Sequence, residues 1–121
     1  MNTIAQALVA LVALLHAHFL VLEMFLWTKP AGRRAFGTTA EQAEQSKVLA
    51  MNQGLYNGFL AAGLLWGLTL GSAGRGVVIF FLVCVIVAGV FGAATASRKI
   101  LYVQALPAVV ALVAVVVAGR G

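Results

Sequence analysis

Four apolar stretches, each about twenty residues long and parted by short polar linkers, leave this 121-residue chain few ways to fold. They cover roughly residues 4–27, 48–70, 77–96 and 100–118. A helix crossing a hydrocarbon core needs about 20 residues, and a globular core of this size would not need four such runs. Soluble domains average about half apolar and a quarter charged; here 63% of residues are hydrophobic and 9% charged. The expectation is an all-α polytopic membrane protein, one antiparallel four-transmembrane-helix bundle with short loops spanning residues 1–121.

The linkers set the order. Thr28-Lys29-Pro30 closes the first run, because proline cannot comfortably continue a helix. Ala31 to Gly37 reads as a basic loop. Thr38 or Thr39 then caps a helix, with Glu41 or Gln42 three residues on completing a capping box, and that helix continues without a break into the second run. Gly71 to Gly74 and Ser97-Arg98-Lys99 are tight turns, so the second, third and fourth helices are antiparallel neighbours.

Basic residues anchor and orient helices at membrane surfaces. Placing the N-terminus outside puts Lys29, Arg33, Arg34, Lys47, Arg98 and Lys99 in the cytoplasm and leaves only Arg75 and Arg120 outside. Six against two predicts both termini outside, in a bacterial-type inner membrane. The net charge of +5 therefore reflects membrane anchoring, and nucleic acid is not an expected partner. Cys84 is alone, which rules out an intramolecular disulfide. The N-terminus lacks the basic start of a cleavable signal, and the first run is too long for one.

Polar groups inside the runs carry the functional information. The first run holds His16 and Glu23, and an ionisable residue in lipid is by default a functional position. At 100° per residue His16, Leu20, Glu23 and Trp27 fall within about 60° of one another, while His18 points away. The second run carries Asn52, Gln53, Tyr56 and Asn57 as a wide polar arc. Unpaired amides in hydrocarbon are costly, and Glu23, His16, Gln104 and Thr95 are the natural partners. At about 1.5 Å of rise per residue, Glu23, Asn52 and Gln104 lie roughly 6 Å inside the cytoplasmic end of their spans. Tyr56, Asn57 and His16 lie roughly 12–16 Å in. These depths predict a pocket open toward the cytoplasm or inner leaflet, with Glu23 and His16 as its acid–base groups. Asn52, Gln53, Tyr56, Asn57, Gln104, Trp27 and Thr95 would line it. One carboxylate and one facing histidine fall short of a metal ligand set, and no cofactor is implied.

Small residues mark where helices approach in lipid. Gly54, Gly58 and Ala62 form one such face. Ala88, Gly92 and Ala96 form another, with Gly89 and Ala93 beside them. On the fourth run Gln104, Ala108, Ala111 and Val115 make an inward stripe, a register that would drift if the helix kinks near Pro107.

These motifs resemble a family of small four-span membrane proteins, domain of unknown function 1304. The likeness runs through Leu22-Glu23-Met24-Phe25-Leu26-Trp27, Gly32-Arg33-Arg34-Ala35-Phe36-Gly37 and Asn52 to Gly58, then Gly89 to Thr95 and Gln104-Ala105-Leu106-Pro107. It covers nearly the whole chain and implies a four-helix membrane fold with no established activity. Small multidrug exporters are similar in length, span number and a single first-span glutamate. Here that glutamate sits near the cytoplasmic end and the basic bias is strong, which departs from their pattern.

Three functions follow. The first is binding of, or acid–base chemistry on, a lipophilic small molecule of isoprenoid or sterol type. The second is proton-coupled transport of small cationic or apolar solutes through Glu23, against which the apolar outer half stands. The third is a structural or regulatory subunit whose polar groups specify assembly. Membrane lipids are partners in all three, and the oligomeric state is open.

Overall fold

Among residues 1–119, which the computed structural model describes, every regular element is helical. The α-helices are α1 (Thr3–Met24), α2 (Pro30–Phe36), α3 (Ala40–Thr69), α4 (Arg75–Thr95) and α5 (Leu106–Ala118). A 3-10 turn, Gly71–Gly74, leads into α4, and a π turn, Leu101–Ala105, leads into α5. Three stretches are long and apolar enough to cross a membrane: Thr3–Met24, Gly71–Thr95 and Leu101–Ala118. Helix α3 is longer than any of these, at 30 residues, but Asn52, Gln53 and Asn57 dilute its apolar character. The expected single bundle of four spans is thus matched at the level of helical class and three apolar helices. Arg120, counted above on the outer side, lies outside the described residues.

The chain divides into two compact units, residues 14–61 and residues 1–13 with 62–121. In the first of these, α1 ends earlier than its apolar run. The N–H groups of Phe25 and Leu26 both donate to the Val21 carbonyl, at 3.0 and 3.2 Å, which loosens the final turn. Trp27 therefore lies in the turn beyond α1, off the stripe shared by His16, Leu20 and Glu23.

The expected basic loop is a short helix. Lys29 is held extended (φ −86°, ψ 162°), the conformation forced on a residue before proline. Pro30 occupies the first turn, where its missing N–H costs nothing. Gly37 stops the helix in the left-handed region (φ 66°), and its N–H and that of Thr38 both return to the Arg33 carbonyl. This is the helix-ending geometry for which glycine is favoured. Helix α3 then starts with the expected box, built from Thr39 and Gln42. The Thr39 N–H donates to the Gln42 side chain at 3.0 Å, and the Gln42 N–H to the Thr39 hydroxyl at 3.1 Å.

In the other unit α3 meets α4 through Gly63 against Phe81 and Gly67 against Val78. Helices α4 and α5 form a hairpin whose closest approach is Gly89, where an added methyl carbon would lie 2.8 Å from the Ala105 backbone nitrogen. Gly92 packs on Ile100 in the same way. The contact face of α4 is thus Gly89 and Gly92, and Ala88 and Ala96 are exposed. The inward stripe of the last helix holds at Ala108, Ala111 and Val115 and moves by one residue only ahead of Pro107. Ala105, Ala108, Ala111 and Val115 are buried, while Gln104 is half-buried. A π turn lies at this point, closed by Leu106 N–H bonding to the Leu101 carbonyl five residues back. Such wide turns are inserted where a helix must absorb an irregularity, here one residue before Pro107. On α1, Ala5, Val9 and Val12 are buried at helical spacing.

Candidate functional site

Glu23 stands on the last turn of α1 with 4% of its surface exposed, the one buried acidic side chain among the described residues. Its position depends on glycine in α3. A methyl carbon on Gly54 would lie 3.1 Å from Glu23 Cβ and 3.3 Å from the Leu20 carbonyl oxygen, and one on Gly58 would lie 2.5 Å from Leu20 Cδ1. Removing both Cβ atoms lets the backbones approach, as small residues do between membrane helices. At that approach the Asn57 side-chain amide donates to Glu23 Oε1 at 2.5 Å. The bond joins residues 34 positions apart and ties α1 to α3.

His16 lies two turns back on α1, roughly 10 Å along the axis by helix rise. It is fully buried, with the Phe19 ring edge-on at 5.3 Å. His18 is exposed, as its angle on the helix required.

The rest of the expected lining is dispersed. Asn52, Gln53 and Tyr56 share α3 with Asn57 but are exposed, and Tyr56 keeps ring contact with Phe59 at 6.3 Å. Trp27 donates its indole N–H to Ser46 Oγ at 3.1 Å and tilts against Phe36 at 4.8 Å. Ser46 in turn donates to the Gln42 carbonyl. Ser46 and Phe36 escaped the sequence reading because an indole partner nineteen positions away leaves no periodic signal. Thr95 and Gln104 belong to the other unit. The Thr95 hydroxyl donates to the Phe91 carbonyl at 2.7 Å within its own helix, a bond that satisfies it locally.

A second polar feature of residues 14–61 is the basic corner. Pro30, Arg33, Arg34 and Thr38 line a shallow, open cleft of about 270 Å³. Gly32 packs this corner against the turn that follows α1, for a methyl carbon there would fall 2.0 Å from the Leu26 carbonyl oxygen.

Chemically, Glu23 and Asn57 form a hydrogen-bonded carboxyl–amide pair between α1 and α3. The described residues hold no cluster of three metal-ligating side chains.

A family model described as protein of unknown function, DUF1304, matches residues 10–116, which include Glu23, the basic corner, Asn57 and the α4–α5 hairpin. The chain belongs to the DUF1304 family. A relative described as uncharacterized protein YpaA of Lactococcus lactis subsp. lactis (strain IL1403) is 32% identical over 115 residues. That alignment covers 93% of this chain and 97% of the relative. No solved structure matches this DUF1304 chain.

Proposed function

We propose that this protein is an integral membrane protein that binds the polar end of a lipophilic small molecule at Glu23. Helix α3 serves as the fourth span, both termini face outward, and the site opens toward the cytoplasmic side. The observation that carries this reading is the Glu23–Asn57 pair. A carboxyl is kept almost wholly buried, with one amide donor, on a helix apolar enough to cross a membrane. Buried polar pairs of this kind are weak sources of stability compared with well-packed apolar residues, which favours a role for the carboxyl beyond packing. Glu23 would hold or transfer a proton, Asn57 would orient it, and His16 would bound the apolar end of the site.

The test is mass spectrometry of small molecules and lipids that copurify with the wild-type protein and with Glu23→Gln. A lipophilic compound enriched on the wild type and lost from the variant supports the reading. If both carry only bulk lipid, the ligand site is refuted.

The exposed face formed by Asn52, Gln53 and Tyr56 favours a second reading, in which the protein is a subunit of a larger membrane assembly. Amides facing lipid need partners from another chain. Recovery as a single chain in native-mass measurements from mild detergent would count against it.

A further inference from the structure

The corner between α1 and α3 holds charge that the chain does not neutralise. Arg33 and Arg34 line the 270 Å³ cleft with Pro30 and Thr38. Two donors on its lining side chains, Arg33 Nε and Thr38 Oγ1, are buried and have no hydrogen-bond partner. Buried polar atoms without partners are uncommon in folded proteins and point to a group supplied from outside.

The chain cannot supply an internal counter-ion cheaply. It contains three carboxylate side chains in all. Glu23 takes the Asn57 amide, Glu44 pairs with Lys47, and Glu41 sits exposed in the first turn of α3. Among the described residues neither Arg33 nor Arg34 forms an ion pair.

The corner is also built to keep its shape. Gly37 turns the chain back so that Thr38 N–H bonds the Arg33 carbonyl at 3.1 Å, which sets the threonine beside the arginine. Trp27 braces both sides of the corner through Phe36 and Ser46. The corner is a shallow, open cleft, with Arg34 exposed, so a small anionic group can approach it from outside.

We propose that Arg33, Arg34 and Thr38 form a binding site for a phosphate group. The guanidinium fork matches phosphate oxygens in a bidentate manner, and the threonine hydroxyl supplies a third donor. This site is separate from Glu23. Its expected source of phosphate, an anionic phospholipid headgroup, rests on α1 crossing the membrane, since the corner begins a few residues after α1 ends. The phosphate chemistry itself does not depend on that reading.

The test uses the full chain purified in a phosphate-free neutral detergent. Native mass spectrometry follows retention of dioleoylphosphatidylglycerol against dioleoylglycerol, and calorimetry follows inorganic phosphate. The wild type should retain the phospholipid and release the diacylglycerol. Thr38→Val keeps every charge and Arg33→Lys keeps the charge but loses the fork. Each should weaken retention by about tenfold or more, the effect of losing a hydrogen bond to a charged group. Binding of inorganic phosphate without phospholipid retention, lost in the same variants, assigns the site to a soluble phosphate. The proposal is overturned if neither probe binds, or if wild type and Thr38→Val bind alike, which would mean general attraction to a basic surface. Thr38→Val leaves the Thr39 cap intact, so it reads the site even where an arginine variant fails to fold.

Discussion

Replacing Asn57 by leucine should destabilise the protein, and replacing Glu23 as well should restore most of what was lost. In the single variant Glu23 loses the donor at 2.5 Å while remaining 4% exposed. Leaving a buried polar group unmatched costs about 1–3 kcal/mol, whereas exchanging both partners for apolar groups is close to neutral. Within membranes the coupling is smaller, averaging about 0.6 kcal/mol and reaching about 1.7. A single bond between a half-buried donor and a buried acceptor belongs in the upper part of that range. Asn57→Leu should therefore cost on the order of 1–2 kcal/mol, with a coupling of about 1 kcal/mol in the cycle with Glu23→Leu. Equilibrium unfolding in mixed micelles can measure this, with Trp27 as a reporter in the same unit because its indole is bonded to Ser46. Additivity of the two substitutions would refute the pairing. A double variant as stable as wild type but devoid of copurifying ligand would separate the functional use of the pair from its structural contribution.

Gly89→Val should cost about 1–3 kcal/mol through overpacking against the Ala105 backbone, while Gly76→Ala, with open space around it, should change stability by less than about 0.5 kcal/mol. Equal effects in the same unfolding assay would contradict the α4–α5 contact. Thr39→Ala should lose about 1 kcal/mol of helix stability because it breaks the capping box at α3, and Thr39→Ser should recover it; circular dichroism through the transition distinguishes the two. In a Cys84→Ser background, cysteines at Arg34 and Ser97 should resist an impermeant maleimide added to intact cells. A cysteine at Ser72 should react. The reverse pattern would invert the proposed orientation.

Several features were legible because they depend on neighbours in sequence. Helix initiation needs only a hydroxyl and a glutamine or glutamate three residues apart, which left Thr38 with Glu41 and Thr39 with Gln42 both open; the structure uses the second pair. The short helix α2 was read as a loop because of its arginines, although Pro30 at its start and Gly37 at its end are helix boundary signals. The boundary at Met24 was not legible. An apolar run records what a segment tolerates around it, and Phe25 and Leu26 are as apolar as the helix before them.

The sequence by itself determined the helical class and the family to which the chain belongs, and of its four expected spans three correspond to helices apolar enough to cross a membrane. It also singled out Glu23 as the ionisable group needing explanation, since hydropathy and residue type are local properties. Tertiary structure decided which amide meets that carboxylate. Asn52, Gln53 and Asn57 lie within two turns of one helix, and only the approach of α1 at Gly54 and Gly58 turns Asn57 toward Glu23 and leaves Asn52 and Gln53 exposed. It likewise chose Gly89 over Ala88 as the face of α4, and moved the buried stripe before Pro107 by one residue. These choices turn on a fraction of a helical turn. Helix periodicity fixes such angles only while the backbone stays regular, and close packing between distant segments sets where it does not.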